Sequence, residues 1–278
     1  MIDHLKYSTI SQIYVKDLIY YEANKEAELA EFCERNGISL LPGPDRRTCY
    51  QLQMGAFIRL PLTEEIMCNP FDRLFDEMTL AKFEKGSHDE VMFVMEDQKI
   101  KGVVHIVDYN NDFINFEFYK AVYHFEKMLR GILHHLGESN ETLLEWMAKK
   151  GQNSRHWLRR YQSCCPVDKD MYEIQEEKRR NCGPFQTFYL NDLLHFMAFR
   201  KYASPFFGKS IQQITGLRNW VAHSQDLTHR VGTVNSPLYR IDDLKEFVKN
   251  VNRFFNCYDE LEDMVRDKTI PLNFLRNV

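Results

Sequence analysis

Residues 214–225 read Ile-Thr-Gly-Leu-Arg-Asn-Trp-Val-Ala-His-Ser-Gln, which sets Arg218, Asn219 and His223 within one predicted helical segment. These side-chain types suit proton transfer beside a phosphate, and self-cleavage of RNA is one reaction of that kind. Cleavage of RNA by its own 2′-hydroxyl needs a proton taken from that oxygen, a proton given to the departing 5′-oxygen, and positive charge against the crowded phosphorus centre. Histidine, with an ordinary pKa of about 6.5, holds both proton states near neutrality. Arginine offers a planar, permanently charged fork that binds two phosphoryl oxygens. The neighbouring asparagine can hold a phosphate oxygen or orient the imidazole. On a helix, residues five apart differ by about 140° and roughly 7.5 Å, so Arg218 and His223 do not share a face, whereas Asn219 and His223 do. One copy makes an awkward site, and two copies about a two-fold axis would bring both sets together, which predicts a homodimer. The expected products carry 2′,3′-cyclic phosphate and 5′-hydroxyl ends. The structural alternative pairs Arg218 with an acidic neighbour and leaves His223 near the helix C-terminus, where the dipole favours an imidazolium.

Spacing alone does not single out this string, since Arg130 and His135 repeat it. Context does: Asn directly follows Arg, the intervening residues are small or apolar, and the helix comes late in a helical region whose first helix contains Phe-Glu-Lys-Met-Leu-Arg-Gly-Ile-Leu. On these residues the stretch from about Asp112 to Val278 resembles the HEPN family. That resemblance implies a helical bundle with a metal-independent endoribonuclease site, usually completed by a second copy. It assigns catalysis to Arg218, Asn219 and His223, in a toxin, stress-response or antiviral setting. Some HEPN toxins carry a Tyr two residues after the His that a partner nucleotidyltransferase modifies. Gln225 stands there in this chain, so that control is not expected.

Cations surround the motif. Arg200, Lys201, Lys209, Arg218 and Arg230 face only Asp226 between His195 and Arg230, and Lys149, Lys150, Arg155, Arg159 and Arg160 interleave with Trp157. Cations beside an aromatic ring suit single-stranded RNA, with Arg155, Arg159, Arg200 and Lys201 as candidate contacts. The 149–160 run reads equally as a solvated helix face. Glu126 and Arg130, four apart, form an ordinary helical ion pair or reach into the cleft. His124, off the apolar stripe of its helix, reads as a surface residue.

These side chains need a bundle to hold them. Phe118, Val122, Phe125, Leu129, Ile132 and Leu136 recur at steps of four and three, predicting a long helix that Gly137 stops. Helices are also expected over 141–150, 154–162, 188–200, 211–223 and 241–265, giving five or six helices and no strand. The first half has another texture. Residues 24–35 and 71–83 read as helices, 38–42 and 48–52 as extended, and 90–96 and 100–107 as strands joined at Asp97-Gln98-Lys99. The change falls near Asn110 to Asp112.

Within the first half, Gly102-Val-Val-His105-Ile-Val-Asp108 resembles the end of a CBS motif, the cystathionine β-synthase domain. There a Gly-apolar-apolar-Thr/Ser-x-x-Asp string holds an adenine nucleotide. The resemblance gives Gly102 the role of close approach and Asp108 that of accepting from ribose hydroxyls, with His105 in place of the Thr or Ser. An earlier unit, 36–42 with 55–61, resembles the repeat more faintly, and Pro61 stands where the Asp would be. A purely structural or dimerising pair is the alternative.

The totals agree with a two-domain protein of 278 residues. The net charge of −4 is uneven: residues 1–110 hold 12 Lys/Arg against 19 Asp/Glu (−7), and residues 111–278 hold 24 against 21 (+3), so only the second part suits a polyanion. No apolar run approaches a membrane span, the start lacks a secretory core, and seven cysteines without a CxxC pair suit a reducing, cytoplasmic setting. No Walker loop, G-x-G-x-x-G or G-x-S-x-G occurs, and His134-His135 and Cys164-Cys165 lack zinc-ligand spacing, so no metal is expected. The expected architecture is multidomain α/β plus all-α: a CBS-like α/β pair over 1–110 as sensor or dimerisation module, then a HEPN helical bundle over 111–278. The runner-up is a non-catalytic RNA- or nucleotide-binding HEPN protein acting as regulator or scaffold.

Overall fold

The computed structural model describes residues 2–85, 91–223, 230–233, 236–239 and 241–267. The chain is mixed α/β, with small three-stranded sheets early and helices dominating later. Contacts group it into two compact units, neither a continuous stretch: Met1–Tyr119 with Trp220–Asn252, and Lys120–Asn219 with Arg253–Val278. The change of texture near 110 marks the start of a long helix, Asp112–His135.

In the first unit, α1 (Asp3–Lys6) and α2 (Glu26–Asn36) precede an antiparallel sheet of β1 (Leu40–Pro42), β2 (Cys49–Gln53) and β3 (Ala56–Leu60). A second sheet follows. Its short strand β4 (Met67–Cys68) pairs parallel with β5 (Val91–Glu96), α3 (Glu77–Lys85) lying between them in sequence, and β6 (Lys99–His105) returns antiparallel. Both hairpins turn on consecutive positive-φ residues, Met54 (49°) with Gly55 (80°) and Asp97 (51°) with Gln98 (58°). Such turns match the right-handed twist of paired strands. The β5–β6 register runs from Val91↔His105 to Glu96↔Lys99 with an irregularity at Val94/Met95, and it buries Phe93 and Ile100 against Leu40 and Cys49. A second core of the unit is aromatic: Phe118 packs on Phe247 at 5.6 Å and Trp220 on Phe247 at 4.9 Å.

The helix expected from Phe71 begins only at Glu77. Local carboxylate and amide bonds hold the intervening residues in turns. Asn69 Oδ1 accepts from the Phe71 amide, Asp72 Oδ2 from the Asn69 amide and Asp76 Oδ1 from the Met78 amide, each at 2.9 Å.

The helices of the later region are α4 (Asp112–His135), α5 (Asn140–Gly151), α6 (Arg155–Cys164), α7 (Lys169–Asn181), α8 (Leu190–Phe199), α9 (Pro205–Lys209), α10 (Ile211–His223) and α11 (Ile241–Asp267). A hairpin of β7 (Arg230–Thr233) and β8 (Ser236–Tyr239) precedes α11. Among the described residues this corrects the expected count of five or six helices and no strand. The hairpin strands are four residues each and contain Gly232 and Pro237, which read as loop. Helix α7 escaped because none of its residues is buried. It stands on its Asp168 cap, whose Oδ1 accepts from the Met171 amide at 2.9 Å, and on pairs such as Glu176–Arg180.

In the second unit, Phe125 of α4 is fully buried against Phe254 (5.2 Å) and Phe207 (6.2 Å). Burying such a ring contributes roughly 1.5–3 kcal/mol. Helix α4 ends as expected at Gly137, whose φ of 80° lets the Glu138 amide reach back to the Leu133 carbonyl at 3.0 Å.

Candidate functional site

Helix α10 takes its orientation from Ile211, Ile214, Leu217 and Trp220, all at most 7% exposed and spaced three apart. That leaves Arg218 beside the apolar face and turns Asn219 and His223 outward, both exposed. The dividing line between the compact units falls after Asn219, so Arg218 and Asn219 belong to the second unit and His223 to the first. His223 is also the last residue of α10, a position the alternative structural reading assigns to it.

Arg218 is not alone. Its side chain is 43% exposed, and its Nε lies 3.8 Å from Glu126 Oε1 of α4. The other oxygen of Glu126 accepts from Arg130 Nη2 at 3.0 Å, and Arg130 Nε donates to the Phe185 carbonyl at 3.4 Å. One carboxylate therefore serves two guanidinium groups. Glu126 and Arg130 are 17% and 15% exposed, so their pair is partly sheltered, while the longer contact to Arg218 is worth at most about 1 kcal/mol at such exposure. The i,i+4 spacing showed the Glu126–Arg130 pair; that Arg218 joins it was beyond sequence reasoning.

His124 is also more than a surface residue. Its Nδ1 lies 2.6 Å from the hydroxyl of Tyr258, which is fully buried on α11, and burial holds the imidazole below its ordinary pKa.

The four candidate RNA contacts separate. Arg155 and Arg159 stand exposed on α6. Arg200 instead clamps Glu138, with Nε 2.8 Å from Oε1 and Nη2 donating to Oε2 at 2.8 Å, and Tyr202 donates to the same carboxylate at 2.5 Å. Burial pushes the Glu138 carboxyl up, but the bonds from Tyr202, Thr142 and Arg200 outweigh it and hold the group low and ionised. Lys201 follows as an exposed residue in left-handed conformation at the end of α8, with φ 58°.

Gly102, His105 and Asp108 are accounted for by the fold around them. A Cβ on Gly102 would stand 2.2 Å from Tyr14 Cδ2 and 2.5 Å from the Val15 carbonyl oxygen, because Val15 pairs with Val103. The close approach that glycine permits is used by the chain itself. Asp108 Oδ2 accepts from the His105 amide at 2.7 Å and His105 Nδ1 from the Val107 amide at 3.0 Å, so the two side chains cap the turn at 106–110. Burial pushes Asp108 up to about 6.

Burial pushes the Cys49 thiol up to about 11 and those of Cys68 and Cys257 up to about 12, which disfavours the nucleophilic thiolate at these three positions. Among the described residues no group of three or more His, Cys, Asp or Glu is arranged to hold a metal ion, and no helix is long and apolar enough to cross a membrane. No family model, curated protein or solved structure matches the chain.

Proposed function

We propose that the chain is a HEPN-type endoribonuclease that cleaves RNA without a metal ion, by 2′-hydroxyl attack, acting in toxin, stress or antiviral defence. The observation that carries this reading is Arg218, partly exposed and steadied by Glu126 through Nε, followed along α10 by two exposed side chains, Asn219 and His223. A guanidinium met weakly on one side keeps charge and donors for a phosphate. An exposed imidazole is accessible for proton transfer to and from the 2′- and 5′-oxygens. In this reading a second copy of the chain supplies the other Arg218 and His223, since five residues of helix separate them in one copy.

Residues 1–110 would then act as a CBS-like sensor or dimerisation module. The succession β4, α3, β5, β6, a helical crossover followed by a hairpin, supports that expectation. Tyr14 packed at Gly102, and Asp108 engaged by the His105 amide, favour the structural or dimerising version over an adenine-nucleotide site.

A second reading, a non-catalytic RNA-binding protein, is favoured by the pairing of Arg218 with Glu126 and the position of His223 at the helix end. Product chemistry separates the two. Incubation of RNA with the full chain in EDTA should yield 2′,3′-cyclic phosphate and 5′-hydroxyl ends, absent with Arg218→Ala. Retention of intact RNA by both proteins would establish the second reading, and cleavage that stops on chelation would refute the first.

A further inference from the structure

The second unit holds an open groove of about 450 Å³, lined by Arg155, His156, Arg159, Arg160 and Ser163 of α6 and by Tyr189, the residue before α8. Along α6, Arg155, Arg159 and Ser163 are four apart and share one row, with His156 and Arg160 in the row beside it. The opposite face of the helix buries Cys164 and packs Trp157 on Trp146 at 4.7 Å, so the cationic rows point to the groove.

The arginines divide by task. Arg160 is committed to the fold: Nε donates to Asp192 Oδ2 at 2.8 Å, Nη2 lies 2.7 Å from the same oxygen, and Nη1 donates to Ser163 Oγ at 2.9 Å. Asp192 is 1% exposed and also accepts from the Tyr189 amide at 2.9 Å. The Arg160 guanidinium lies 3.9 Å from the centroid of the Tyr189 ring. One buried carboxylate therefore fixes both the cation beneath the ring and the backbone that carries it, while Tyr189 as a residue remains 64% exposed. Arg155 and Arg159 have no ion-pair partner among the described residues, so two guanidinium charges beside a fixed aromatic platform are uncompensated.

The geometry points to a binding site for single-stranded RNA, with one base stacked on Tyr189 and the flanking phosphates held by Arg155 and Arg159. A platform held in advance loses little freedom when a base lands on it, and aromatic stacking accepts any base, so the site binds with little sequence preference. Phosphates bridged by two exposed guanidinium groups add a salt-dependent component. This shares the RNA ligand of the proposed function but not its chemistry, and it stands whether or not α10 cleaves.

Fluorescence anisotropy with a labelled 2′-O-methyl oligouridylate ten-mer tests it, because that probe lacks the nucleophile for self-cleavage. Tyr189→Ala should weaken binding about ten- to hundredfold, and Tyr189→Phe should bind like the wild type. The double variant Arg155→Ala/Arg159→Ala should weaken binding and flatten the slope of log affinity against log salt by about 1.4, or 0.7 per phosphate. Inorganic polyphosphate should lose affinity with the double arginine variant but not with Tyr189→Ala. Unchanged binding by Tyr189→Ala, an unchanged salt slope in the double variant, or equal sensitivity of polyphosphate to the tyrosine would each overturn the site. Binding lost only in Arg218→Ala, with the groove variants unaffected, would place the RNA on α10 and overturn the site.

Discussion

The pair Arg160–Asp192 should carry a large pairwise free energy, and double-mutant analysis measures it. Their side chains are 13% and 2% exposed, with two nitrogens within 2.8 Å of one carboxylate oxygen. Removing one member of such a pair leaves an uncompensated charge out of water, at a cost of about 3–5 kcal/mol. Asp192→Asn keeps an acceptor for the Tyr189 amide and so isolates the charge, whereas Asp192→Ala also loses that cap, adding about 1 kcal/mol. Arg160→Gln should cost a similar amount to Asp192→Asn. The double variant, with neither charge left, should be at least about 2 kcal/mol more stable than the sum of the singles implies. Urea unfolding followed by circular dichroism at neutral pH gives all four values. Singles that sum to the double, or an Asp192→Asn cost below about 1 kcal/mol, would refute the reasoning and remove the argument that Tyr189 is held in place in advance.

Other expectations follow from individual contacts. Asp108, at about 6 in the fold against an ordinary 3.8, adds stability that is complete below 3.8 and lost as pH rises through 6. Linkage bounds that loss at about 3 kcal/mol, and solvent screening reduces it to about 1–2. Asp108→Asn should therefore be about 1–2 kcal/mol more stable than wild type at pH 8 and equal to it at pH 4; a less stable variant at pH 8 would contradict this. His124 has its pKa lowered by burial, so the unfolded chain binds its proton more readily and stability falls as pH drops below the ordinary value of 6.5. His124→Gln should remove part of that slope in thermal unfolding between pH 7 and 5, and His195, likewise lowered by burial, contributes with the same sign. Gly102→Ala should destabilise by roughly 1–3 kcal/mol in urea, because the new methyl meets Tyr14 and the Val15 carbonyl.

Much of the local structure was readable in the residues. The stripe Phe118, Val122, Phe125, Leu129 and Ile132 is buried, with Leu136 at its end half-buried, α10 spans 211–223 as expected, and Asp97-Gln98 makes the turn between β5 and β6. Periodicity works where one face is apolar. It fails for α7, which buries nothing, and for residues 71–76, where side chains of Asn69, Asp72 and Asp76 hold the backbone in turns. The polar networks were hidden for another reason. Arg218 with Glu126, Arg200 with Glu138 and Arg160 with Asp192 join residues 92, 62 and 32 positions apart by their numbers, and no local spacing encodes them. One signal was present. Asp192 sits among Leu190, Leu193, Leu194 and Phe196, and an acid in so apolar a stretch calls for a cation partner. That signal names the need for a cation, and only the fold names Arg160 as the one that meets it.

The central claim is that the imidazole of His223 moves the protons of RNA cleavage. Single-turnover cleavage of an end-labelled RNA in EDTA, by wild type and His223→Ala, addresses it directly. The account predicts a rate lower in the variant by a factor on the order of 10²–10⁴. Equal rates from the two proteins would contradict it.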